Sequence, residues 1–137
     1  FNDFQLDRYY DDVVRYSGGT PGVIVVDGVS YAHYHVTGVM GRAVSGEHPA
    51  YTMVAKKLTS STQGHTHTTD YCVRSKLDGT RVHGMVAGVF QDYESPWAGA
   101  VNRLWWSGVI IKSDVENGSY DPQWVSLKRL KEIYGNG

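Results

Sequence analysis

Tight polar turns set between β-branched runs constrain this chain more than any other feature of it. Val23-Ile24-Val25-Val26 and Val29-Ser30-Tyr31-Ala32 flank Asp27-Gly28, a dipeptide whose two residues tolerate the positive φ that a two-residue hairpin turn demands. Asn117-Gly118 marks a second hairpin by the same reasoning. Asp78-Gly79 is a turn ahead of Thr80 to Phe90, and Thr68 to Arg74 and Leu104 to Ile111 are further β-rich runs, so most of the chain beyond residue 67 is expected to be strand.

Helical spacing interrupts this pattern in three places. Residues 4–16 set Phe4, Leu6, Tyr9, Tyr10, Val13 and Val14 among charged residues, predicting an amphipathic helix stopped by Ser17-Gly18-Gly19. Pro49 to Leu58 predicts a short helix, and Ser126 to Tyr134 a closing one with Leu127, Leu130, Ile133 and Tyr134 on one face and Gly135 as its terminator. Between them lie a glycine-bearing loop at 36–46 and the polar connector Ser60-Ser61-Thr62-Gln63. The expected class is α/β in the broad sense, of the α+β type.

At 137 residues the chain is expected to be a single domain, 1–137. Its 13 basic and 14 acidic residues leave no cationic surplus for a polyanion, so nucleic-acid binding is not indicated. Cys72, the single cysteine, has no internal disulfide partner, which fits a reducing, cytoplasmic setting. No apolar run is long enough to span a bilayer.

Four of the six histidines fall in two His-x-His pairs, His33/His35 and His65/His67. Alternate residues of an extended segment share a face, so each pair is expected to present two imidazoles to one pocket. Such a pocket suits zinc, iron, nickel or manganese, because imidazole nitrogen is a poor ligand for magnesium or calcium. An isolated His-x-His is more often incidental; two pairs, each following a strand-like run and separated by a helix, shift the balance toward a metal site. His48, His83 and Cys72 are expected to be structural.

A short strand ending in His33, a glycine-bearing loop, a helix and then Gly64-His65-Thr66-His67 opening a series of strands resembles the C-terminal half of calcineurin-like metallophosphoesterases, most closely the small phage and bacterial versions. The resemblance implies the β-rich half of an α/β/β/α sandwich with short flanking helices. It also implies that His33 and His65 bind one ion of a binuclear pair, that His67 binds the other, and that His35 and Arg42 lie near the phosphate. Family members usually carry glycine after the first of these histidines, where this chain has Tyr34, which leaves the roles of His33 and His35 open. The family's Asp-x-His, its bridging aspartate and its asparagine with the catalytic histidine have no counterpart in residues 1–32. The expected activity is therefore metal-dependent phosphate-ester hydrolysis by a domain that needs the missing aspartate-bearing segment to complete its site, with that segment as a separate chain, a second copy of this chain or a rearrangement covering its open face. The alternatives are a non-catalytic binding or assembly module that keeps the fold, for which Trp97 and Trp105-Trp106 offer aromatic surface, and, less favoured, a cupin-like metal protein with Asp70 in place of the usual glutamate.

Overall fold

In the computed structural model, residues 5–19 and 21–135 are described. The first hairpin forms where Asp27-Gly28 places it: β1 (Ile24–Val26) pairs antiparallel with β2 (Val29–Ala32), and Asp27 and Gly28 take φ of 47° and 80°. From β2 the chain crosses through α1 (Pro49–Lys57) to β3 (Ser61–Gln63), which runs parallel to β2. A parallel pair requires such a crossover. Next come β4 (Thr69–Ser75) and β5 (Arg81–Ala87), antiparallel to each other, with β5 parallel to β3. The resulting sheet has the order β1-β2-β3-β5-β4.

β6 (Gly108–Glu116) and β7 (Ser119–Ser126) form a separate antiparallel ribbon around Asn117-Gly118, and α2 (Leu127–Tyr134) follows. Ser126 Oγ caps α2 by accepting from Arg129 N at 3.2 Å, and Gly135 stands at its carboxyl end.

Successive residues of β5 face opposite sides of the sheet, which divides the core in two. Val86 packs with Met53 of α1 and with Val44 on one side. Met85 packs with Val29 and Tyr120 on the other, joined by Tyr31, Tyr71, Ile110, Val115 and Trp124. The five-stranded sheet is thus covered by α1 on one face and by the β6–β7 ribbon on the opposite face. Gly84 permits the first contact, since a Cβ there would lie 2.1 Å from the Ala50 carbonyl oxygen of α1.

The two hairpin turns also meet. Gly118 N donates to Asp27 O at 2.7 Å, and a Cβ on Gly28 would stand 2.5 Å from Gly118 N. Ser60 Oγ closes the same junction by donating to Gly118 O at 2.5 Å and accepting from His83 N at 3.0 Å.

Three expectations are corrected. The helix expected over 4–16 is absent from the described residues: Leu6–Arg8 makes one 3₁₀ turn and residues 10–16 have no regular structure, while Phe4 lies outside the described residues. Tyr9 and Val14 are exposed. Without a surface to bury its apolar face, a helix this short is marginal, and the β-branched and aspartate residues at 11–14 weaken it further. The polar connector at 60–63 is instead a central strand with Ser61, Thr62 and Gln63 all buried. The strand expected from Leu104 begins at Gly108 and is preceded by a kinked 3₁₀ segment, Pro96–Leu104, broken at Gly99. No helix among the described residues is long and apolar enough to cross a membrane.

Candidate metal centre

The parallel register of β2 and β3 pairs Ala32 with Gln63. One step further on, Gly64 N donates to His33 O at 3.1 Å, so the two chains stay together as they leave the sheet. His33 and His65 consequently emerge side by side at the carboxyl ends of parallel strands, where open sheets with crossover helices place their ligands. His65 Nδ1 lies 3.0 Å from His33 Nε2, with the rings 4.9 Å apart and nearly perpendicular. Both imidazoles are exposed, and the Tyr34 ring stands 5.1 Å from that of His65. Two nitrogens on one tetrahedral zinc, each about 2.0–2.1 Å from the ion, are about 3.3 Å apart. As it stands the 3.0 Å separation is that of a hydrogen bond between the two rings, and a shared ion requires both nitrogens unprotonated and slightly further apart.

Gly64-His65-Thr66-His67 is not extended. His65 and His67 both occupy the left-handed region, at φ 63° and 60°, a conformation costing a residue with a side chain about 1–2 kcal/mol. Strain of this kind concentrates at functional sites. It also corrects the expectation that each His-x-His pair turns both rings to one pocket. His67 packs edge-on against Trp105 at 4.4 Å, and its carbonyl accepts from Trp106 N at 3.1 Å. Trp105 in turn meets Trp97 at 5.6 Å. Among the described residues, no group of three or more His, Cys, Asp and Glu side chains is gathered as a metal cage.

His35 turns inward from His33 and is 2% exposed. Its Nε2 donates to Thr62 O at 3.2 Å, which leaves Nδ1 to accept from Lys57 Nζ at 3.0 Å. Burial and then the Lys57 charge lower its pKa, holding the ring neutral. Its backbone N–H donates to Gln63 Oε1 at 2.9 Å, and Gln63 Nε2 donates to Val44 O at 3.0 Å, so the buried amide of β3 pins the loop after His33. Arg42 is exposed on the 36–46 loop, which is tied back by Val44 N donating to His35 O at 2.8 Å.

The remaining candidates have separate work. Asp70 Oδ2 accepts from Ala50 N at 2.9 Å, capping α1 from a neighbouring strand, with His48 Nδ1 3.6 Å from its other oxygen. His83 is fully buried: Nδ1 lies 2.7 Å from Tyr71 OH, Nε2 accepts from Tyr120 N at 3.4 Å, and the ring stacks on Tyr120. Burial raises the pKa of the Cys72 thiol, which keeps it a poor nucleophile.

Sequence reasoning did not single out Lys112. Placed on β6, it reaches across to the larger sheet, where Nζ donates to Tyr31 OH at 3.1 Å and to Thr62 Oγ1 at 2.6 Å. A lysine in the middle of an alternating strand carries no local sign that it will face inward. No known protein family, curated protein or solved structure matches this chain.

Proposed function

We propose that this chain carries the histidine half of a metal-dependent phosphoesterase centre of the calcineurin-like kind, in which His33 and His65 hold one divalent ion and His67 contributes to a second. The observation that carries this reading is the His33–His65 pair, 3.0 Å apart at the carboxyl ends of two parallel strands. The left-handed backbone at His65 and His67 supports it, as do the α1-covered and ribbon-covered faces of the sheet, which suit the layered sandwich of that family. Imidazole donors fit manganese, zinc, iron or nickel.

When bound, such ions polarise the phosphate and lower the pKa of a bound water. The chain's own residues hold the ligands together: Gly64 N donates to the His33 carbonyl, and His65, at a left-handed φ of 63°, has its ring nitrogen 3.0 Å from that of His33. Three imidazoles carry no charge to offset the repulsion of two dications, so a binuclear centre requires a bridging carboxylate from an aspartate-bearing segment beyond these residues. β1 offers that segment an apolar edge, with Ile24, Val25 and Val26 all exposed.

The test is the metal retained after dialysis against manganese and against zinc. About one ion per chain is expected, lost in His33→Ala and in His65→Ala, as ligand removal at a histidine site predicts. Absence of retained metal in the wild-type protein, or retention in both variants, rejects the reading.

A further inference from the structure

Away from the histidines, a cavity of about 560 Å³ opens between the five-stranded sheet and the β6–β7 ribbon. Met85, Val89, Phe90 and Ile110 form apolar walls, while Tyr31, Thr62 and Lys112 supply its polar groups. The volume is that of an ordinary small-molecule site, in which a few convergent polar groups fix the ligand against apolar walls.

The charge in it is unbalanced. Lys112 Nζ donates to the Tyr31 and Thr62 hydroxyls and lies 4.2 Å and 4.7 Å from the ring centres of Tyr31 and Tyr120. Among the described residues no ion pair includes it, and the cavity lining contains no carboxylate. Ring faces and hydroxyls stabilise a buried ammonium only in part.

We propose that this cavity binds a small organic monoanion, a carboxylate with an apolar body, whose charge pairs with Lys112 and whose body lies against Met85, Val89, Phe90 and Ile110. A single cation with no second basic group in the lining suits one negative charge better than a dianion. The hydroxyls of Tyr31 and Thr62 donate to a carboxylate as readily as they accept from the lysine. Burial brings the Lys112 amine down to about 8, and a neighbouring anion reverses that shift.

Calorimetric titration of metal-free protein with benzoate tests this, with benzyl alcohol and inorganic phosphate as controls. Saturable benzoate binding is expected, with both controls weaker by about tenfold or more, a difference of about 1.4 kcal/mol. Lys112→Met should weaken benzoate by a similar factor, and Lys112→Arg, which keeps the charge, should retain most of the affinity. Methyl shifts of Met85 and Ile110 on adding benzoate to the wild-type protein locate the site even if neither variant folds. No benzoate binding, equal binding of either control, unchanged affinity in Lys112→Met, or shifts confined elsewhere overturns the proposal. Chelating all metal and substituting His33 or His65 leave the expected result unchanged, so its outcome is independent of the metal centre's.

Discussion

His83 is enclosed by Tyr71 on one side and Tyr120 on the other, and burial, reinforced by the Arg81 and Lys112 charges, brings its pKa down to about 4. In the unfolded chain the same imidazole titrates near 6.5. Between those values the unfolded state holds a proton that the folded state refuses, so stability is full above about 6.5 and falls as pH drops toward 4. His35, also lowered by burial, acts in the same direction. Urea midpoints measured from pH 7 to pH 4 should therefore decline less steeply for His83→Gln than for the wild-type protein, since glutamine keeps a hydrogen bond and loses the titration. Parallel declines would assign the acid sensitivity to other groups. The contrast with His33 and His65 lies in surroundings alone: the same side chain is a locked core group on β5 and an exposed, paired donor beyond β2 and β3.

Where an element reports its own beginning and end, the sequence was enough to place it. Asp27-Gly28 and Asn117-Gly118 mark both hairpins, Pro49 starts α1, and Ser126 and Gly135 bracket α2, each through chemistry confined to a few neighbouring residues. β3 lacked such signals. Ser61, Thr62 and Gln63 are buried because distant groups satisfy them, namely Ser30, Lys112, Val44 and the backbone of His35, and hydropathy along the chain does not register partners that arrive through the fold. The pairing of His33 with His65 depends on that hidden strand, and His33 and His35 point in opposed directions because the alternation of an extended strand stops at Ala32, a limit the local sequence does not mark. The contact of α1 with β5 makes a sharper test at this scale. In Gly84→Ala the new methyl meets the Ala50 backbone of α1 at 2.1 Å, with Val54 Cγ2 also within 2.9 Å, so α1 has to lift from the sheet. A loss of about 1–3 kcal/mol in unfolding free energy is expected from denaturant titration, and a loss below a few tenths would show that the helix accommodates the methyl freely.

Across the whole molecule, β2 has a different task at each end. Its first residue follows the turn that abuts Gly118, and its last precedes His33, about 13 Å away at the rise of an extended strand. The close approach of the two turns is thus remote from the candidate metal centre, where His33 and His65 remain open to solvent. Gly118 has φ 84°, and a Cβ there would stand 2.8 Å from Gly28 O, so Gly118→Ala should both strain the turn and separate it from its neighbour. The contact joins segments far apart along the chain, and closing such a loop is slow and comes late in folding. Stopped-flow measurements on Ser60→Ala, which removes the bond to Gly118 O without straining either turn, should accordingly show faster unfolding with little change in the folding rate, as for any contact made after the transition state; equal effects on both rates would place the contact in the folding nucleus. Two touching turns would then act as a latch: they would govern how long a molecule, once formed, persists, and leave the speed of its formation to the local hairpins.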